Sequence, residues 1–175
     1  MAKERSGVIR FGKTDATVVG SDIRVGDAAP EFIAHALDWS DVHGLADTWG
    51  KVRIIATVPS LETPVCDRET RRFNQEATTL GNDITVLVIS TDLPYTQKRW
   101  CGAAGINQLM VLSDHMTGEF GERYGCLIKE RRILRRAIFV VDRAGVVRYA
   151  AYMSALSDGP NYDEVLKAAR TTLSG

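Results

Sequence analysis

VRIIATVPSLETPVCDRETRRFNQEATTLGNDITVLVIS, residues 52–90, decides the fold. Its opening run, Val52 to Ser60, is β-branched and apolar without alternation, the pattern of a strand covered on both faces. After Thr63 the period changes: Val65, Phe73, Ala77 and Leu80 recur near helical spacing, and Gly81-Asn82 supplies the stop. ITVLVIS, residues 84–90, then reads as a second buried strand. Strand, helix and strand in this order make a parallel βα unit.

Downstream the alternation continues. PYTQKRWCGAAGI, residues 94–106, is a helix opened by Pro94; LMVLSD, residues 109–114, is a third strand; GEFGERYG, residues 118–125, is a short helix with glycine punctuation. RRAIFVVD, residues 135–142, and VVRYAAYM, residues 146–153, flank Arg143-Ala144-Gly145 as an antiparallel hairpin, and NYDEVLKAARTTL closes the chain as an amphipathic helix. Upstream, Gly7 to Phe11 and Ala16 to Val19 flank the turn GKTD, which makes a small leading hairpin. With no repeat, linker or low-complexity stretch, residues 1–175 are expected to form one α/β domain, a mixed sheet with helices on both faces.

A chain of 175 residues with 45% hydrophobic residues buries roughly 70% of its unfolded surface, so its core needs neither disulfide nor structural metal. Lys+Arg and Asp+Glu are both 22, so no global field draws nucleic acid or an anionic membrane. The first twenty residues hold no signal-peptide core, and no apolar stretch reaches 18 residues, which reads as cytoplasmic. Three cysteines, Cys66, Cys101 and Cys126, are too few and too odd in number for a secreted disulfide scaffold.

Cys66 falls where a buried strand gives way to a helix. Thr63 suits the N-cap, Pro64 the first helical position, and Cys66 the third. Free backbone N–H groups and the positive end of the helix dipole favour an anionic sulfur there. Asp67 and Glu69 in the same turn push the other way, so the site needs a cation from elsewhere, with Arg136 the candidate. Spacing alone leaves open both a reactive thiol and a small buried hydrophobe.

PSLETPVCDRETRRFNQEA (59–77), STDLPYTQKRWCGAAGI (90–106) and RRAIFVVD together resemble the thiol peroxidase subfamily of the peroxiredoxins, in order and spacing along nearly the whole chain. The resemblance implies a thioredoxin-like fold carrying an added N-terminal hairpin. It implies that Cys66, in T-x-x-C, is the peroxidatic cysteine, that Thr63 positions the peroxide, and that Cys101, in R-[FW]-C-G, is the resolving cysteine. The arginine opening the strand before the hairpin matches Arg136, with Arg135 the alternative one residue away. Pro59, Leu61 and Val65 are expected to contact the organic group of the substrate. Hydrogen peroxide and alkyl or lipid hydroperoxides would be reduced to water or alcohol through a Cys66 sulfenic acid and a Cys66–Cys101 disulfide. Thioredoxin would return the electrons, no bound cofactor or metal would be used, and a homodimer would be the working form. Cys101 lies between small residues, with Gly102 and Gly105 near it, so its segment is expected to be loosely anchored and to open during the cycle.

The remaining chemistry-bearing residues read as structural. Cys126 matches no catalytic position and is expected to pack; His35, His43 and His115 make no ligand spacing. KERRILRR, residues 129–136, reads as a solvated loop with one arginine turned inward rather than a nucleic-acid contact. A redox sensor using Cys66 is the competing reading, while a dithiol oxidoreductase is disfavoured because Cys66 opens no C-x-x-C pair.

Overall fold

The computed structural model describes residues 1–175. In chain order the elements are β1 (Glu4–Phe11), β2 (Thr14–Val19), β3 (Ile33–His35), β4 (Asp41–His43), β5 (Val52–Thr57) and α1 (Pro64–Leu80). There follow β6 (Ile84–Ser90), α2 (Pro94–Ala104), β7 (Met110–Ser113), α3 (Glu119–Arg123), β8 (Leu127–Ile128) and β9 (Ile133–Leu134). The chain closes with β10 (Ala137–Val141), β11 (Val147–Tyr152) and α4 (Tyr162–Ser174).

Every residue of β5 is buried because the strand lies inside a seven-stranded sheet of order β11-β10-β5-β6-β7-β3-β4. β5, β6 and β7 run parallel, with Ile54 opposite Val86 and Val88 opposite Val111, while β10 and β11 are antiparallel as the hairpin reading requires. Side chains alternate across this sheet. Ile54, Ala56, Val86, Val88 and Val140 pack beneath Phe73 of α1, Trp100 of α2 and Val165 of α4. Ile55, Leu87 and Phe139 face the other way, onto Phe32, Phe120 and Tyr124, where Phe32 and Phe120 meet edge-to-face at 4.7 Å.

Helices lie on both faces of the sheet, as expected, but unequally. The three long helices share one face; the opposite face carries five-residue α3 and a second, four-stranded sheet, β1-β2-β8-β9. The leading hairpin therefore does not stand alone, for β2 pairs with β8 through Val18–Ile128 and Val19–Leu127. KERRILRR is likewise more than a solvated loop: Ile133–Leu134 pairs with Leu127–Ile128, and both Arg135 and Arg136 are buried. Strands two or three residues long leave no periodicity to read, which is why β3, β4, β8 and β9 are invisible to pattern. They exist because a sheet edge left bare carries unpaired backbone groups. No helix is long and apolar enough to cross a membrane.

Candidate active site around Cys66

β5 ends at Thr57 and the chain turns through Val58–Glu62 into α1. Thr63 is extended (φ −82°, ψ 144°), its Oγ1 accepts the Cys66 N–H at 3.3 Å, and Pro64 fills the first helical position. The capping reading holds, and it leaves Cys66 fully buried in the first turn, beside helix N–H groups that have no intrahelical acceptor. The loop leading in is tied down by Asp92, whose carboxylate accepts from Ser60 Oγ at 2.8 Å, Leu61 N at 2.9 Å and Ser90 Oγ at 2.8 Å.

The cation arrives from β10. Antiparallel pairing sets Ala137 opposite Thr57, so Arg136 lies just past the end of β5, where α1 begins. Its Nη2 donates to Cys66 Sγ at 3.0 Å and to the Leu156 carbonyl at 3.1 Å, and its Nη1 donates to Glu69 Oε2. Arg135 goes the other way, as neighbours in extended chain must. It donates to the Gly125 carbonyl at 2.9 Å, pairs with Asp22 and lies 4.0 Å from the Tyr152 ring. Of the two arginines the sequence leaves open, only Arg136 touches the sulfur.

Glu69 is the residue that sequence reading misjudged. Three positions after Cys66 it shares the inward helix face, and instead of repelling a thiolate it anchors the guanidinium. Burial pushes its carboxyl up to about 7, with Arg136 pulling it back down. For Arg136 burial works against the charge, but Glu69 and Cys66 outweigh it and hold the cation firmly. The i, i+3 spacing carried a signal for Glu69; nothing local carried one for the Leu156 carbonyl or for Asp92.

Pro59 and Leu61 are as enclosed as the sulfur itself, while Val65 and Thr63 are half-exposed at the rim. Cys101 is buried in α2 and belongs to the same apolar cluster as Cys66; burial pushes its thiol up to about 11. Cys126 sits in the cluster on the opposite face of the sheet, its thiol pushed up to about 12 by burial. All three thiols are free. The expectation of a loosely anchored Cys101 segment is not met in this conformation. Trp100 Nε1 donates to Asp67 Oδ1 at 3.2 Å, Arg71 Nη1 to the Ala104 carbonyl at 3.3 Å, and Asn74 Nδ2 to the Gly105 carbonyl at 3.5 Å.

A surface cavity of about 880 Å³ lies between the β10–β11 turn and α4 and shares no residue with this site. A smaller one, about 390 Å³, is bordered by Phe11, Arg131 and Leu156, the last being the residue whose carbonyl holds Arg136.

A thioredoxin-like fold with a cysteine at a helix start and an arginine against its sulfur narrows the class to thiol-based redox proteins, and the comparisons narrow it further. The redoxin family model matches residues 24–166. The thiol peroxidase of Oceanobacillus iheyensis is 48% identical over 158 residues, covering 90% of this chain and 95% of that one. The thiol peroxidase of Bacillus subtilis is 48% identical over 164 residues, covering 93% and 96%. Among solved structures, a peroxiredoxin-like protein from Aquifex aeolicus superposes with TM-score 0.85 at 34% identity, covering 96% of this chain and 97% of that one. The thiol peroxidase from Chromobacterium violaceum superposes with TM-score 0.79 at 26% identity, covering 93% and 95%. The chain belongs to the redoxin family, with the thiol peroxidases of the peroxiredoxins.

Proposed function

We propose that this chain is a thioredoxin-dependent peroxidase that reduces hydrogen peroxide and organic hydroperoxides. The observation that carries the reading is the 3.0 Å contact from Arg136 Nη2 to Cys66 Sγ at the capped start of a helix. A thiolate held there attacks the terminal oxygen of ROOH; the S–O bond forms, the O–O bond breaks, and ROH leaves after taking a proton. Cys66 is then a sulfenic acid. Negative charge spreads over sulfur and both oxygens during the attack. The Arg136 guanidinium, the Thr63 hydroxyl and the first-turn N–H groups are already in place to meet it, so little reorganisation is needed. Glu69 keeps the guanidinium aimed, and the enclosure by Pro59 and Leu61 excludes water, which strengthens each of these contacts.

Cys101–SH then condenses with Cys66–SOH: the S–S bond forms, the S–O bond breaks, and hydroxyl leaves with the thiol proton as water. A reduced dithiol protein of the thioredoxin type takes the disulfide by exchange. No bound cofactor enters these steps, and the setting is a reducing compartment such as the cytoplasm, with a homodimer as the working form.

NADPH oxidation in the presence of thioredoxin, its reductase and cumene hydroperoxide tests the reading in wild type, Cys66→Ser and Cys101→Ser. Turnover should vanish in Cys66→Ser, and Cys101→Ser should stall after one equivalent until an external thiol is added. Steady turnover in Cys66→Ser would overturn the assignment. Wild-type oxidation at Cys66 without turnover would favour a redox sensor instead.

A further inference from the structure

Arg136 brings one positive charge to the site, and two acidic side chains meet it. Its Nη1 donates to Glu69 Oε2 and its Nη2 to Cys66 Sγ at 3.0 Å. The guanidinium and the carboxyl are shut away from solvent, at 0% and 1% side-chain exposure, and Cys66 is fully buried. A thiolate and a carboxylate together would enclose a net negative charge, which burial penalises heavily. One proton held between them leaves the site neutral, so the two acids titrate as a pair rather than singly.

Position on α1 decides which acid keeps that proton. Cys66 is the third residue of the helix, among N–H groups without intrahelical acceptors and at the positive end of the dipole; Glu69 stands one turn farther in, where that field has faded. Glu69 Oε2 accepts from Arg136, and no protein group donates to its Oε1. A buried carboxylate with a bare oxygen costs more than a buried neutral carboxyl. Burial accordingly pushes the Glu69 carboxyl up to about 7, against the pull of Arg136. The other groups around it supply no second buried charge. Tyr162 of α4 stays neutral, its hydroxyl pushed up to about 12 by burial and by Glu69. Arg68 and Arg72, on α1 itself, are exposed, and Arg72 pairs with Glu76 at 3.0 Å.

We propose that Glu69 stores the proton that the leaving oxygen of the peroxide needs: its carboxyl is protonated while Cys66 is a thiolate and ionises as the sulfur becomes neutral. This rests on the peroxidase reading above and gives the proton of that step a source. Cys66–S⁻, ROOH and Glu69–COOH become Cys66–SOH, ROH and Glu69–COO⁻. The S–O bond forms, the O–O electron pair leaves with the alkoxide, and the carboxyl proton ends on it. A sulfenic acid does not compete for the guanidinium, so Arg136 then pairs with Glu69 alone and the carboxylate is stable. When the disulfide is later reduced, the Cys66 thiol gives its proton back to Glu69. Glu69 acts through Arg136 and is a positioning residue that also carries a proton.

The Cys101→Ser variant, which halts at the sulfenic acid, tests this with one equivalent of peroxide at pH 6.5. The reduced protein should show thiolate absorbance in the ultraviolet. Infrared difference spectra should show the C=O stretch of a protonated carboxyl that is lost on oxidation, and an indicator dye in weak buffer should report little proton uptake from solvent. With Glu69→Gln added, that band should be absent and uptake should rise to about one proton per sulfur oxidised. A role confined to aiming Arg136 moves neither signal. Full uptake with Glu69 present, or oxidation that removes no carboxyl band, would overturn the proton store and leave the peroxidase reading intact; the infrared result needs no Glu69 variant to fold. A thiol in place of a thiolate in the reduced protein would overturn the store as well. If mass spectrometry found no trapped Cys66 sulfenic acid after peroxide, the peroxidase reading itself would fall, and the store with it.

Discussion

Arg135 and Arg136 are neighbours with opposite tasks, and the difference comes from which face of the sheet each side chain leaves by. Arg136 meets a buried carboxylate and a sulfur on the helix-covered face; Arg135 braces the turn at Gly125 beneath the small sheet. The pairing of Arg136 with Glu69 has a pH signature. The folded-state carboxyl is raised by burial to about 7, above its ordinary value, so the folded protein binds the extra proton between roughly pH 4.5 and 7. Its contribution to stability is complete below the ordinary value and is lost as pH rises through about 7. Urea unfolding at pH 5 and pH 7.5 should show wild type losing more stability over that interval than Glu69→Gln, whose neutral amide stands in for the protonated carboxyl and does not titrate. Parallel pH profiles would refute this.

At the scale of elements, α1 is built to hold one sulfur in place. Thr63 caps it, Pro64 starts it and Gly81 ends it with φ +75°. Replacing Thr63 by Ala should cost about 1 kcal/mol through the lost cap, whereas Ser keeps the accepting oxygen and should stay within a few tenths. The same pair separates capping from chemistry. If the hydroxyl also positions peroxide, Thr63→Ala should lower the rate of Cys66 oxidation by more than its stability loss accounts for, and Thr63→Ser should restore both. Thermal unfolding and stopped-flow peroxide kinetics on the two variants give the answer. A rate unchanged in Thr63→Ala would confine the residue to the cap.

At the scale of the whole molecule, two sheets and a helical layer have to meet. Gly20 is where β2 leaves the small sheet and passes the end of α3: its φ is +95°, and a Cβ there would lie 1.9 Å from the Glu122 carbonyl oxygen. Both strain and overlap exclude a side chain. Gly20→Ala should therefore destabilise the fold by about 3 kcal/mol or more, a fall of about 5–10 °C in Tm for a chain of this size. A melting temperature within 2 °C or so of wild type would show that the two sheets can separate at this seam without penalty. The Leu156 carbonyl reaches Arg136 across another seam, and Leu156 packs against the small apolar cluster under the hairpin. Losing that seam is expected to disturb Arg136, and with it the contact to Cys66, from a distance.

Sequence alone determined the order of the longer strands and the long helices, the capped start of α1 and the placing of Cys66 on its first turn. These depend on contacts within a few residues, and the periods of strand and helix record such contacts directly. The three blocks around Cys66, Cys101 and Arg136 also marked the family, because their spacing along the chain is itself local information. Tertiary structure decided what each buried charge does. Glu69 read as a repelling carboxylate until Arg136, 67 residues away, was laid against it by the Ala137–Thr57 register. The choice between Arg135 and Arg136, the Leu156 carbonyl and the anchoring of Cys101 by α1 were settled the same way. Each is a pairing between distant residues, fixed by which faces the sheets present to one another, and a one-dimensional pattern holds no record of that.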